Sequence, residues 1–192
     1  MSDIALAVAP HLDADPRPRA APGDRLAAVL ALLIGGDHPA LVFTERAPDL
    51  SRHPGEVSFP GGLADPGDDD LRATALRETY EEIGIEPATV TVLGALRPIH
   101  TFVSAILVTP FVGTVPTLPS LVISDAEIAR VLTAPLRDLA TVEEQRSVPA
   151  SDGTTWRGWW YELPGATVWG ATGAIVHELL SLLRREAAWS IA

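Results

Sequence analysis

A helix crowded with carboxylates follows a glycine pair in the first half of the chain. The segment Phe59-Pro60-Gly61-Gly62 closes an apolar stretch, and an acidic turn follows at 65–70. The pattern from about Leu71 to Ile83 then predicts a helix that ends at Gly84, because glycine readily adopts the left-handed conformation that terminates helices. The side of this helix expected to face the core carries Ala73, Leu76, Tyr80 and Ile83.

The opposite side of this helix is strongly acidic. Eight carboxylates and only two arginines lie between Asp65 and Glu86. At about 100° per residue, Glu78, Glu81 and Glu82 share one side, where like charges cost roughly 0.2–0.5 kcal/mol per pair. Taken alone, this spacing is that of an ordinary solvated helix face. A bound divalent cation would turn the repulsion into a gain, and magnesium prefers carboxylate oxygens.

The whole sequence is consistent with one domain. A chain of 192 residues is long enough for a sizeable core and too short for two comfortable ones. Four prolines in residues 1–24 predict an irregular N-terminal arm, followed by a single domain over residues 25–192. The longest apolar run, Leu26–Ile34, is too short to span a bilayer, and we expect a soluble, cytoplasmic protein with no membrane partner.

Composition excludes several classes of chemistry. Cysteine is absent, so disulfides, thiolate metal sites and cysteine nucleophiles are excluded. All 14 basic residues are arginines, which excludes lysine Schiff bases and P-loop chemistry. The net charge of -11 argues against a nucleic-acid partner. An anionic small molecule remains compatible if a metal ion offsets the repulsion.

Short apolar and β-branched segments predict a mixed α and β architecture. The predicted strands are Leu26–Ile34, Ala40–Thr44, Val57–Phe59, Thr89–Leu96, Ala105–Val112, Glu127–Leu132, Trp156–Glu162 and Thr167–Trp169. A helical turn is predicted at Pro135–Leu139, and an amphipathic helix at Gly173–Arg185. This order predicts an α+β sandwich of helices on a mixed sheet.

The central segment resembles the Nudix box. Two glycines, a loop, Arg77-Glu78-Thr79-Tyr80-Glu81-Glu82 and then Gly84 follow the order of that motif. The resemblance implies a Nudix-type α/β/α sandwich with a mixed sheet and a catalytic loop-helix-loop. It also implies a hydrolase that cleaves a diphosphate bond with magnesium, or with manganese in its place.

The resemblance assigns roles to residues of the box. The implied metal ligands are Glu78, Glu81 and Glu82, and Arg77 is expected to orient them. The base that activates the attacking water stays open among Glu78, Glu81 and Glu127. His100, between two predicted strands, is expected to be a loop or sheet-edge residue.

The chain departs from the general Nudix pattern at three positions. The pattern has a glutamate eight residues before the box arginine, where this chain has Asp69, and the second glycine lies one residue farther from that arginine. Asp68 and Asp69 are therefore both candidates for that role. Thr79 occupies a position that is usually apolar.

The segment upstream of the box resembles the coenzyme A pyrophosphatase branch. The matching stretches are Leu41–Ala47 and His53–Gly62, and one additional loop residue is usual in that branch. The implied reaction converts coenzyme A, or an acyl derivative, into 3',5'-adenosine diphosphate and 4'-phosphopantetheine. The implied substrate-binding residues are Arg46, Arg52, Gly61 and Gly62, with His53 a weaker candidate. Glu56 stands where the branch commonly has glutamine.

Two alternatives to this reaction stay open. The same chemistry could act on another nucleoside diphosphate derivative, such as ADP-ribose or a dinucleotide. A non-catalytic binding module is the alternative from a different class, although such proteins typically lose box glutamates. The five tryptophans, including Trp159, Trp160 and Trp169, are expected to be core residues or part of a homodimer contact.

Overall fold

The structure, a computed structural model, describes residues 3–50, 54–101, 105–149 and 154–186. An eight-stranded mixed sheet contains β1 Arg25–Ile34, β2 Ala40–Arg46, β3 Val57–Ser58, β4 Gly61–Leu63, β5 Thr91–Ala95, β6 Ile99–His100, β7 Ile106–Val115 and β8 Ile128–Pro135. A smaller antiparallel sheet contains β9 Glu143–Pro149, β10 Thr155–Leu163 and β11 Ala166–Val168. The helices are α1 Asp3–Val8, α2 Leu71–Ile83, α3 Leu136–Val142 and α4 Gly170–Leu183.

The two long strands β1 and β7 form the centre of the main sheet. They run parallel from the pair Arg25 and Ile106 to the pair Ile34 and Val115, whereas β2 and β4 pair with β1 in the antiparallel sense. A strand buried on both faces has a continuous apolar sequence rather than an alternating one. The apolar run of β1 follows from this position, and β1 and β2 form an antiparallel hairpin.

Side chains of β1 enter two separate apolar cores. Ala31 and Leu33 face the core that contains α4 and the smaller sheet. Leu30 and Leu32 face the core beneath α2. The main sheet therefore lies between the two helices, and the predicted α+β sandwich of helices on a mixed sheet is confirmed.

Helix α2 begins and ends where the sequence predicts. The carboxylate of Asp70 accepts a hydrogen bond from the backbone N–H of Ala73 at 2.7 Å, which caps the first turn. Gly84 closes the helix with φ 73°. An alanine there would also collide with Val122, because an added Cβ would lie 2.8 Å from the Cβ of that residue.

The predicted core face of α2 is wrong for Tyr80, which is 47% exposed. The buried residues of this helix are Thr74, Ala75, Thr79, Glu82 and Ile83. The small side chains of Ala75 and Thr79 allow the helix to lie close to the sheet. The hydroxyl of Thr79 donates to the carbonyl of Ala75 at 2.7 Å, so a polar residue is accommodated where the family pattern is usually apolar.

The irregular arm predicted for residues 1–24 is wrong for residues 3–11. These residues form α1 and a short 3-10 turn. Ala5 and Val8 are completely buried, and Val8 joins the core that contains α4. The apolar run that begins at Ile4 forms α1, and the four prolines of the segment all lie after it. Asp13 then forms a β-bridge with Ala95, which fastens the segment to the main sheet.

The remaining predicted elements are observed with shifted bounds, and three strands were missed. Strand β9 lacks an apolar pattern, and β4 and β6 have only three and two residues, so none of the three gave a signal. Of the tryptophans, Trp160 is buried in the core at 9% exposure, whereas Trp169 is 41% exposed.

Among the described helices, none has the length and apolar character needed to cross a membrane.

Candidate active site

Gly61 and Gly62 lie in β4, beside β1 and against α2. Gly61 has φ 149°, and a Cβ there would overlap the carbonyl oxygen of Ala28. A Cβ on Gly62 would lie 2.5 Å from the carboxyl carbon of Glu78. The first glycine therefore permits the close approach of two backbones, and the second leaves space for a carboxylate.

Glu82 is the buried acid of this site. It is 4% exposed, and its Oε2 accepts a hydrogen bond of 3.3 Å from the backbone N–H of Gly61. Burial raises the pKa of Glu82 to about 8, against the effect of that hydrogen bond and with a further contribution from the charge of Glu78. A buried carboxylate with one long hydrogen bond from the described residues is poorly stabilised unless a cation accompanies it.

Glu78 and Glu81 surround the buried acid with different exposure. The side chain of Glu78 is 18% exposed, and that of Glu81 is 54% exposed. Burial raises the pKa of Glu78, and the neighbouring Arg77 opposes this shift. The three box glutamates therefore provide oxygen atoms at increasing depth, from solvent to the sheet.

Arg77 connects these glutamates to the loop before α2. Its Nη1 donates to Glu78 Oε1 at 2.9 Å and to Glu81 Oε2 at 3.0 Å. Its Nε and Nη2 donate to the two carboxylate oxygens of Asp68 at 2.8 and 3.0 Å, and Nη2 also donates to the carbonyl of Leu63 at 3.2 Å. The planar guanidinium thus contacts two box glutamates and Asp68 at the same time.

The structure distinguishes the two aspartates that the sequence left as alternatives. Asp68 receives both nitrogen atoms of the Arg77 fork, and this bonding holds the pKa of Asp68 far below its ordinary value. The hydroxyl of Thr74 adds a hydrogen bond of 2.7 Å to the same carboxylate. Asp69 is exposed to solvent. The geometry therefore places Asp68, and not Asp69, next to the box arginine.

Arg46 approaches the acidic site from the end of β2. Its charge opposes the rise in the pKa of Glu82, so the two side chains are within electrostatic reach of each other. The Nε of Arg46 is buried and has no hydrogen-bond partner among the residues that the structure describes. A buried donor without a partner is rare and is expected to serve a ligand or a bound water.

The loop that follows Arg46 is described only in part. Arg52 and His53 lie outside the described residues. The backbone N–H of Arg46 donates to the carbonyl of Glu56 at 3.0 Å, and the carbonyl of Arg46 accepts from Gly55 at 3.1 Å. Glu56 therefore closes the base of the loop through its backbone.

Glu127 belongs to this region, whereas His100 does not. The charge of Glu127 raises the pKa of both Glu78 and Glu82. The Nε2 of His100 lies 3.6 Å from a carboxylate oxygen of Asp24, in the β6 region of the main sheet. The expectation that His100 is a loop or sheet-edge residue is confirmed, because it ends the two-residue strand β6, which pairs with β7.

A backbone connection at the end of α2 was missed from the sequence. The N–H groups of Val122 and Ser124 donate to the carbonyls of Ile83 and Glu82 at 3.1 and 2.9 Å. The segment thus satisfies carbonyls that a helix terminus leaves open. The close approach of Val122 to Gly84 in the structure reflects this contact. The sequence pattern does not predict it.

The donor set suits a hard divalent cation. In the described part of the chain, no three histidine or acidic side chains lie close enough together to form a ready metal site. The individual features nevertheless fit such an ion. They are the poorly stabilised carboxylate of Glu82, the space that Gly62 leaves for Glu78, and a set of donors composed of oxygen atoms.

Comparison with known proteins identifies the family. The NUDIX domain family matches residues 24–153. A protein of Photorhabdus laumondii subsp. laumondii, named as the uncharacterized Nudix hydrolase NudL, is 38% identical over 165 residues, which cover 85% of this chain and 88% of that protein.

Solved structures agree on the fold. A NUDIX hydrolase from Alicyclobacillus acidocaldarius has a TM-score of 0.54 at 23% identity, covering 82% of this chain and 91% of that chain. A MutT/nudix family protein from Enterococcus faecalis has a TM-score of 0.56 at 15% identity, covering 96% of this chain and 69% of that chain. The Nudix-type sandwich predicted from the box is therefore confirmed. The chain belongs to the Nudix hydrolase family, whose members are pyrophosphohydrolases that generally need divalent metal cations.

Proposed function

We propose that this chain is a magnesium-dependent hydrolase of the diphosphate bond in coenzyme A or acyl-coenzyme A. The products are 3',5'-adenosine diphosphate and 4'-phosphopantetheine, or its acyl derivative. The observation that supports this proposal most directly is the pairing of a buried acid, Glu82, with a buried Nε of Arg46 that has no partner among the described residues. A cation and a phosphate would satisfy both groups together.

The box glutamates would hold the metal ion. Glu78 and Glu82 are the principal ligands in this proposal, Glu81 lies beside them, and the carbonyl of Gly61 is a further candidate. The ion would be magnesium or manganese, which polarises the phosphoryl oxygens and lowers the pKa of the attacking water. Arg77 keeps Glu78 and Glu81 in place through the hydrogen bonds described above.

Residues outside the box would bind the substrate and remove the proton. Arg46 donates to a phosphate oxygen through its guanidinium, and Arg52 supplies a second cation from the same loop. The base is one of Glu127, Glu78 and Glu81. Glu127 is the first to test, because Arg77 already occupies a carboxylate oxygen of each of the other two.

The upstream segment supports coenzyme A over other nucleoside diphosphates. The 3'-phosphate adds charge beyond the diphosphate, and Arg46 and Arg52 are the cations that the upstream segment offers. Glu56 adds a negative charge to the same loop, and we propose that it lowers affinity relative to a glutamine at this position. The net charge of -11 supports a small-molecule substrate rather than a nucleic acid.

The test is a comparison of substrates with and without magnesium. The purified protein is incubated with coenzyme A, acetyl-coenzyme A, ADP-ribose and diadenosine polyphosphates, and the products are identified by mass. We expect 3',5'-adenosine diphosphate only from the coenzyme A substrates and only with metal. Glu82→Gln should abolish its release, whereas Glu86→Gln, an exposed acid beyond the helix, should not.

Other outcomes separate the parts of the proposal. Cleavage of ADP-ribose or a dinucleotide alone would agree with the proposed metal site but contradict the coenzyme A assignment. No cleavage of any substrate, with the protein folded, would favour a binding module. Equal activity of the Glu82→Gln variant and the wild type would contradict the proposed metal site.

A further inference from the structure

A β-bulge lies beside Arg46 in the pairing of β2 with β8. Glu45 is opposite Arg130, but the next residue, Arg46, is opposite Ile128. Ala129 is therefore the extra residue on β8. Consistent with this, Ala129 and Arg130 are both exposed, so the alternation of burial along β8 is interrupted at this point. Bulges of this kind redirect side chains and are common beside active sites.

The bulge determines which residues meet at the candidate active site. After it, the shifted register continues with a hydrogen bond of 2.8 Å from the N–H of Ala47 to the carbonyl of Glu127. The backbone of Glu127 is thereby fastened next to Arg46. With the register that precedes the bulge, Arg46 would lie opposite Ala129 instead.

One side chain fastens this bulge. The Nε of Arg130 donates to Oε2 of Glu45 at 2.6 Å, across the last pair before the shift. The Nη2 of Arg130 donates to the carbonyl of Gly165 at 2.5 Å, in the turn between β10 and β11. Arg130 therefore connects β2, β8 and the smaller sheet at the position where the register changes.

We propose that Arg130 is a positioning residue, which sets the direction of Arg46 and the place of Glu127 by holding the β-bulge through Glu45 and Gly165. This inference rests on the proposed role of Arg46 in binding phosphate. Arg130 itself points away from the box, because its partner Glu45 alternates with Thr44 and Arg46 along β2. It acts on substrate only through Arg46 and Glu127.

Kinetics of Arg130→Met test the proposal. Methionine keeps an unbranched apolar stem and removes the guanidinium. We expect KM for coenzyme A to rise about tenfold, the loss typical of a weakened hydrogen bond to a charged group. The melting temperature should change little, because the ion pair with Glu45 is partly exposed. Reversal of the pair in Glu45→Arg with Arg130→Glu should restore part of the lost affinity.

The matched control is Arg146→Met on β9. Arg146 is also partly exposed and bonded to two carboxylates, those of Glu144 and Glu162, and its hydrogen-bond partners among the described residues do not include a residue of β2. Its replacement should leave KM unchanged. Similar KM values for the Arg130 and Arg146 variants would overturn the proposal, since the effect would then reflect only the loss of a surface arginine.

A double-mutant cycle tests whether the effect passes through Arg46. If it does, Arg130→Met should add little to the KM of an Arg46→Met variant, because the side chain being positioned is already absent. Fully additive effects on KM would overturn the proposal. A general structural role of Arg130 would produce such additivity, because it would weaken both backgrounds equally.

A spectroscopic measurement makes the inference independent of catalysis. The Nε–H resonance of Arg46 can be assigned by its loss in Arg46→Met, and its burial predicts slow exchange with solvent. Arg130→Met should shift this resonance and accelerate its exchange, whereas Arg146→Met should not. An unchanged resonance would overturn the proposal. If the wild type cleaves none of the substrates, the proposed function fails, and this resonance still decides the positioning role.

Discussion

The carboxylate of Glu82 is in conflict with its buried surroundings. Its carboxylate is buried next to Gly61 and Glu78, and it receives one long backbone hydrogen bond from the described residues. The protonated form relieves the conflict in the protein without metal. A metal ion would relieve it by neutralising the ionised form, so metal binding should release a proton.

The stability of the metal-free protein should therefore fall as the pH rises. Glu82 has a pKa of about 8 in the folded chain, against an ordinary value of 4.5. Between these values the folded state binds more protons than the unfolded state, so raising the pH lowers the free energy of unfolding. We expect a lower urea midpoint at about pH 8.5 than at about pH 6, and Glu82→Gln should reduce this difference.

Glu81→Gln is the control for this pH dependence. Its side chain is 54% exposed, so its replacement should leave the pH profile unchanged. Magnesium should also raise the midpoint more at the higher pH than at the lower. A wild-type profile that is flat between the two pH values would contradict the burial of an ionisable Glu82.

Gly62→Ala should weaken metal binding without unfolding the chain. Gly62 has a φ outside the left-handed region, so alanine is acceptable to its backbone, but the new Cβ would lie 2.5 Å from the carboxylate of Glu78. Glu78 must then move. We expect a loss of magnesium affinity on the order of tenfold, which a calorimetric titration measures. Unchanged affinity would show that Glu78 does not bind the ion.

At the scale of an element, three consecutive aspartates immediately before α2 have different structural roles. Asp68 binds Arg77, Asp69 faces solvent, and Asp70 caps the helix. The helix can thus keep its cap while a different carboxylate orients the box arginine. The same triplet supplies a matched experiment.

Asp70→Ala should destabilise the protein by about 1 kcal/mol, the usual cost of a lost N-cap. The structural basis is the 2.7 Å hydrogen bond from the N–H of Ala73. Asp69→Ala, an exposed neighbour, should change the free energy of unfolding by less than about 0.5 kcal/mol. Urea unfolding compares the two. Equal losses for both variants would indicate a general charge effect instead of capping.

At the scale of the whole molecule, the N-terminal segment completes the larger core. Val8 of α1 is completely buried with residues of β2 and α4, such as Phe43 and Leu183. The chain therefore closes its sandwich with residues that lie more than a hundred positions apart in sequence. This packing suggests that the first helix contributes to folding.

Val8→Ala should cost about 1.5 kcal/mol, because it removes two methyl groups from a buried site. Leu6 on the same helix is 57% exposed, and Leu6→Ala should be close to neutral. Urea unfolding measures both. If Val8→Ala were as neutral as Leu6→Ala, the packing of α1 on the core would be wrong.

Local sequence was sufficient where neighbouring residues control the conformation. Helix α2 has its cap, its apolar positions and its terminating glycine within one short segment, so its ends at Leu71 and Ile83 were predictable. The buried strand β1 was predictable from its continuous apolar run. The acidic box indicated the family for the same reason, since its glycines, arginine and glutamates are close together in the chain.

Long-range packing was needed wherever a side chain's role depends on distant residues. The burial of Tyr80 was predicted wrongly because helical periodicity gives relative directions only, and the sheet selects the face that is covered. The choice of Asp68 over Asp69 depends on where the loop meets Arg77. The burial of Glu82 and the bulge beside Arg46 arise from contacts of α2 with β4 and of β2 with β8, which no local pattern encodes.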